Sequence, residues 1–296
     1  MCARFRAFCS VIAIIAASAG SALAADRPVG RMSGSVTTYV VQRGDTLTLI
    51  AARFGVYPTT IASDNAIDVR QPVQVGRSLH IDNRHLIPDA ATAGEVVVNV
   101  PQRMVFMRSE GEIVAYPIAV GRSTWQTPVG LFTVIRKDKD PAWHPPASIR
   151  AESARAGHIL PAVVPPGPDN PLGRFWIGLS IESIGIHGTP VQSSIYQSAT
   201  HGCIRLQKGP IEDLFARVSA GARGQVIYEP VLLAVIGNEV YIEVHPDIYG
   251  KLPGSARQEV ERLAARAGVD QVIDWVQAGQ EIASQAGIAR RVSRGE

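Results

Sequence analysis

Cys203 stands in the run Thr200-His201-Gly202-Cys203-Ile204-Arg205-Leu206, 16 positions after His187 of His187-Gly188-Thr189. A thiol attacks as its thiolate, and at a pKa of ~8.5 only a few per cent is ionised at neutral pH. An imidazole against the sulfur takes that proton and later returns it to a leaving amine. His187 and His201 are both candidates. His201 shares a strand face with Cys203 if the run is extended, whereas His187 must reach across from a neighbouring strand. Geometry alone leaves that choice open. Gly202 permits a tight backbone path, and the N–H groups of Gly202 and Cys203 could cradle an oxyanion. Arg205 adds a cation suited to a substrate carboxylate. Taken singly, a His-Gly-Thr is commonly a turn and an arginine after a strand is commonly a surface charge.

The compartment sharpens the reading. Arg4 and Arg6 precede an apolar stretch from Ala7 to about Ala17, and small residues end in Ala22-Leu23-Ala24. That order reads as a cleavable secretory signal over residues 1–24. Cys2 and Cys9 would leave with it, so Cys203 would be the one cysteine of the mature chain. In an oxidising compartment a lone thiol is kept either as an inert buried side chain or for its reactivity.

Composition bounds the rest. The 296 residues, 46% hydrophobic and 19% charged, suffice for a sizeable core and more than one domain. No second apolar stretch reaches transmembrane length, so the mature chain is expected to lack a membrane span. The charge of +3 includes Arg4 and Arg6, and no basic stripe with interleaved aromatics appears, which argues against nucleic-acid binding. The spacing of histidines and cysteines offers no metal site, and no cofactor is expected.

Residues 27–35 read as a linker. From 38 to 82 the pattern predicts a βααβ unit: Tyr39-Val40-Val41 as a strand, Asp45 or Thr46 as a helix cap, and Leu47, Ile50, Ala51 and Phe54 at helical spacing. A second helical stretch opens at Ile61 and ends near Asn65, and the chain returns as a strand through Leu79 and Ile81. Residues 83–94 read as an interdomain connection. From Glu95 the period becomes two, and short strands separated by turn signals continue to about Tyr228, predicting a mainly β, sandwich- or barrel-like domain over 95–230. One helix, 211–218, is expected inside it. Residues 140–173 carry no sustained period, and their place just before the chemical motif points to a lid. Within 231–296, Gly237-Asn238 marks a hairpin, 255–267 and 270–286 show helical spacing, and Arg290-Arg291 with Arg294 reads as a solvated basic end.

Two resemblances join these parts. Tyr39-x-Val41-x-x-Gly44-Asp45-Thr46-Leu47, with Ile50-Ala51, Phe54, Ile61, Asn65, Gly76 and Leu79-x-Ile81, resembles a LysM domain, which implies binding to glycan strands of peptidoglycan through the loops after Gly44 and around Asn65. His187-Gly188-Thr189 with Thr200 to Leu206, together with Val120-Gly121, Thr127-Pro128-Val129-Gly130 and the run from Pro165 to Gly173, resembles the YkuD-type L,D-transpeptidase catalytic domain. The run from Pro165 to Gly173, with Ile242-Glu243-Val244-His245 downstream, resembles its enterobacterial-type branch.

That resemblance implies Cys203 as nucleophile and His187 as base, with the Gly188 carbonyl orienting the imidazole. It implies Gly202 in the oxyanion hole, Arg205 at the substrate carboxylate, and Thr200 and His201 as supporting substrate contacts. The implied reaction is acyl transfer in the periplasm: Cys203 attacks the carbonyl of the L-centre of diaminopimelate in a tetrapeptide stem and D-alanine leaves. An amine then resolves the thioester, either a second stem, giving a cross-link, or a lysine of an outer-membrane lipoprotein. Acylation by a carbapenem is a further expectation. Water as acceptor would make the enzyme an L,D-carboxypeptidase or endopeptidase, and a degenerate domain would leave a peptidoglycan-binding protein without catalysis.

Overall fold

The computed structural model describes residues 32–93, 95–109 and 111–295; the expected signal, with Cys2 and Cys9, lies outside them. The N-terminal unit contains β1 (Met32–Ser33), β2 (Val36–Val40), α1 (Leu47–Phe54), α2 (Pro58–Asp64) and β3 (Ser78–Asp82). Strands β2 and β3 pair antiparallel. Thr46 caps α1 by accepting from the Leu49 N–H at 3.1 Å, and Gly55 ends it in the left-handed conformation, φ 70°. Leu47, Ile50, Ala51, Ile61, Leu79 and Ile81 close a small core, the helical face and alternate strand positions meeting as their spacing demands.

The connection is more structured than its composition suggests. It carries β4 (His85–Leu86) and α3 (Asp89–Ala93), and β4 pairs with β1, so part of the expected N-terminal linker is strand as well.

The second unit runs through β5 (Val96–Asn99), β6 (Met104–Ser109), β7 (Glu112–Pro117), β8 (Val120–Gly121), β9 (Gly130–Lys139), α4 (Ala147–Arg155), β10 (Phe175–Leu179), β11 (Gly185–His187), β12 (Ser198–Thr200), β13 (Ile204–Arg205), α5 (Lys208–Arg217) and β14 (Arg223–Ile227). Among the described residues its main sheet has eight strands in the order β13-β11-β10-β9-β14-β5-β6-β7, with β8 and β12 paired separately. Strand β5 is buried throughout rather than alternately, because both faces of the sheet are covered. Val96 and Val98 pack with Val105 and Met107 on one side, while Val97 packs with Phe106 and Met104 on the other. Period two thus sorts one apolar run into two cores.

The third unit contains β15 (Val231–Ile236), β16 (Glu239–Val244), α6 (Ala256–Ala267), α7 (Trp275–Ser284) and β17 (Arg290–Arg291). The hairpin turns at Gly237-Asn238, with Ile236 opposite Glu239. Arg290-Arg291 is not a solvated end. It is a strand on β16, and Arg290 pairs with Asp64 at 2.8 Å and Asp82 at 3.5 Å. Two residues suffice because the neighbouring strand supplies the pairing that local sequence cannot signal.

Candidate active site

The nucleophile run and the histidine meet on neighbouring strands. β11 and β13 pair parallel, with Ile186 opposite Ile204 and His187 opposite Arg205. Side chains alternate along a strand, so the two isoleucines enter the core, at 1% and 0% exposure, while His187 and Arg205 share the other face. Cys203, two residues before Arg205, falls on that same side. Its thiol donates to the Ser183 carbonyl at 3.7 Å.

The imidazole is fixed from several directions. Nδ1 lies 2.6 Å from the Gly188 carbonyl oxygen, and the Leu172 carbonyl is a second backbone acceptor. A carbonyl only accepts, so Nδ1 carries the proton and the neutral ring keeps its lone pair on Nε2. Trp176, directly opposite His187 across β10 and β11, stacks on the ring with centroids 5.8 Å apart and planes 25° from parallel. The tryptophan fits because residue 185 is glycine: a Cβ there would lie 2.4 Å from the indole. Trp176 was not among the residues expected from sequence, and its signal is the strand register, which a single chain does not print.

Burial pushes His187 down to about 3, aided by the Arg205 charge and opposed by the Gly188 and Leu172 carbonyls. Burial likewise pushes the Cys203 thiol up, against a hydrogen bond from the Gly185 backbone and the Arg205 charge, which both favour thiolate. The resting pair is therefore neutral thiol and neutral imidazole. Burial also lowers Arg205, yet a guanidinium remains charged, and its buried Nε has no hydrogen-bond partner.

His201 faces elsewhere. Its Nε2 is 2.5 Å from Glu152 Oε2 and 2.7 Å from Arg122, and Trp125 meets its ring edge-on at 5.1 Å. Glu152 lies on α4, inside the 140–173 segment expected to lack structure. That helix, Ala147–Arg155, buries none of its residues, so no apolar period announced it. The downstream part of the segment is tied by Asn170, whose Nδ2 donates to the carbonyls of Pro141 (2.9 Å), Val164 (3.3 Å) and Pro165 (3.1 Å).

The loop before the thiol is held by Thr200, whose hydroxyl donates to the Cys203 carbonyl at 2.6 Å and accepts from the Gly202 N–H at 3.1 Å. The Gly202 amide is thus engaged by Thr200, which braces the loop. Gly202 itself has φ 104°, a conformation that suits glycine. In the N-terminal unit Asn65 is similarly occupied. It donates to the Ile61 (2.8 Å) and His80 (2.7 Å) carbonyls and accepts from the His80 N–H, closing its loop.

The YkuD L,D-transpeptidase catalytic domain family matches residues 93–236, and the LysM domain family matches residues 39–82. The probable L,D-transpeptidase ErfK/SrfK of Salmonella typhimurium is 34% identical over 222 residues, covering 73% of this chain and 71% of that protein. The probable L,D-transpeptidase YbiS of Escherichia coli is 32% identical over 210 residues, covering 67% and 68%. Among solved structures, L,D-transpeptidase 3 of Mycobacterium tuberculosis is 16% identical with a TM-score of 0.36, covering 45% of this chain and 60% of that one. In this chain the matched catalytic domain is mainly β, with Cys203 and His187 on one face of its sheet. The chain belongs to the L,D-transpeptidase family and carries a LysM domain. Among the described residues no helix is long and apolar enough to cross a membrane.

Proposed function

We propose that the protein is a periplasmic peptidoglycan L,D-transpeptidase that works through a Cys203 thioester. The observation that carries this reading is the shared face of Cys203, His187 and Arg205, with Nδ1 of His187 pinned on Gly188 so that Nε2 is free to accept a proton. The buried, unpartnered Nε of Arg205 supports its assignment to the carboxylate of the donor stem.

In the acylation step the thiol proton passes to His187 Nε2 as sulfur bonds to the carbonyl of the L-centre of diaminopimelate. The tetrahedral oxyanion is held by the Cys203 N–H, and by the Gly202 N–H once it leaves Thr200. Collapse expels D-alanine, whose amine takes the proton from His187. In the second step an acceptor amine attacks the thioester, His187 removes its proton, and the thiol is re-formed. The acceptor is a diaminopimelate side chain of another stem or a lipoprotein lysine, and the LysM unit holds glycan close by. The N-terminal signal delivers the chain to the periplasm.

The test is muropeptide mass spectrometry after incubation with tetrapeptide-rich sacculi. Cross-linked dimers that vanish with Cys203→Ala are expected. Tripeptides alone would show hydrolysis instead of transfer, and turnover by Cys203→Ala would overturn the mechanism.

A further inference from the structure

The C-terminal extension reaches the nucleophile loop through one side chain. Tyr249 lies beyond residue 236, where the catalytic-domain match ends. Its hydroxyl accepts from the Thr127 N–H at 3.1 Å and donates to the Gly121 carbonyl at 2.7 Å. The Thr127 hydroxyl in turn accepts from the Gly121 N–H at 2.9 Å and donates to the Gly202 carbonyl at 2.9 Å. Thr127 is fully buried. Residues 121–127 thus form a loop whose two ends are braced by two hydroxyls, one of which ends on the residue before Cys203.

The consequence follows from the peptide unit. The Gly202 carbonyl and the Cys203 N–H belong to one planar trans amide and point in opposite directions. Whatever fixes the carbonyl therefore fixes the N–H. We propose that Tyr249 is a positioning residue that, through Thr127 and the Gly202 carbonyl, aims the Cys203 N–H at the oxyanion of the acylation step. The inference rests on the Cys203 acyl-enzyme reading above.

Tyr249 is itself firmly placed. Its ring stacks on Tyr228 at 5.5 Å, its N–H donates to the Tyr228 hydroxyl at 2.7 Å, and Lys251 lies 5.4 Å from the ring centroid. Tyr228 is hydrogen-bonded to Asp247, which also accepts from the Lys251 and Leu252 N–H groups at 2.9 Å each. A phenylalanine at 249 would keep the stacking and lose only the hydroxyl.

The test compares two reagents at Cys203 by intact-protein mass spectrometry. A carbapenem acylates through a tetrahedral oxyanion. Iodoacetamide alkylates by displacing iodide at a saturated carbon and builds none. Tyr249→Phe is expected to slow acylation about 10-fold, since small misplacements of a catalytic group cost up to ~100-fold, while alkylation stays within about twofold. Thr127→Val should lower acylation about 100-fold, the scale of a lost oxyanion donor, and Thr127→Ser should restore it. Equal losses with both reagents, or unchanged acylation in Tyr249→Phe, would overturn the proposal. Carbapenem uptake by Cys203→Ala would instead overturn the nucleophile assignment, so the two failures are distinguishable.

Discussion

The depressed basicity of His187 has a measurable signature in the pH dependence of acylation. An imidazole at its usual 6.5 is only about 3% neutral at pH 5, so a reaction that needs the free base would slow about 30-fold between pH 8 and pH 5. With His187 held at about 3, principally by burial and then by Arg205, the ring is about 99% neutral at pH 5. The second-order rate of carbapenem uptake at Cys203, followed by intact mass, is therefore expected to change less than about threefold over this range. The sign for stability is linked. Because the folded state disfavours the protonated ring, this contribution is complete above 6.5 and is lost as pH falls toward 3, at about 1.4 kcal/mol per unit. By pH 5 about 2 kcal/mol is gone, so circular dichroism at each pH must accompany the rates. Arg205→Gln removes a cation that holds both groups down, so both limbs of the profile should move to higher pH. An acid limb centred near 6.5 in the wild-type protein would refute the buried neutral base.

Glu243 is fully buried and accepts from Leu86 N–H at 2.5 Å and Gln102 at 3.0 Å, with His85 and His245 each at 2.8 Å. Its partners hold it down to about 2 against burial, so its contribution is full above 4.5 and fades as pH falls toward 2. Glu243→Ala, which strands the donors, is expected to cost about 3–5 kcal/mol by urea denaturation at pH 7; a loss under about 1 kcal/mol would show the cluster to be dispensable. Glu152→Ala cuts the links from α4 to Arg122 and His201, and hydrogen exchange across 147–155 should rise while the sheet stays protected. Unchanged protection there would mean that this helix is held by something other than its carboxylate.

The candidate site residues Cys203, His187 and Arg205 were legible because their types are rare and their spacing is fixed. The LysM-like unit was legible because Leu47, Ile50, Ala51 and Ile61 repeat the period of the helices they build. The partners were not. Gly188 and Leu172 act on His187 through backbone carbonyls, which no side-chain pattern records, and Trp176 acts through a cross-strand register. The 140–173 segment read as irregular because α4 has no apolar face, and its ties include the Glu152 carboxylate and the Asn170 amide. His201 shared a strand period with Cys203 on paper, but the turn at Gly202 breaks that period and sends the ring to Glu152. Asn65, in one of the loops expected to meet glycan, ties that loop to Ile61 and His80 through backbone carbonyls that no side-chain pattern records.

What sequence segmentation divides into three units, the C-terminal extension joins. Ile288 completes the core of the N-terminal unit, and Thr60 donates to the Ala286 carbonyl at 2.7 Å. Glu243 gathers His85 from the connection and Gln102 from the second unit, and Tyr249 braces the loop behind Cys203. A flexible linker would let a glycan-binding unit raise only the local concentration of stems, whatever their orientation. Here the apolar and ionic contacts on the extension fix the offset between the LysM unit and the thiol, so on the proposed function a glycan strand seated on one would be presented to the other at a set distance. Under the proposed function, stem selection would depend on position along the glycan as well as on contacts at Arg205, and the extension would set that position.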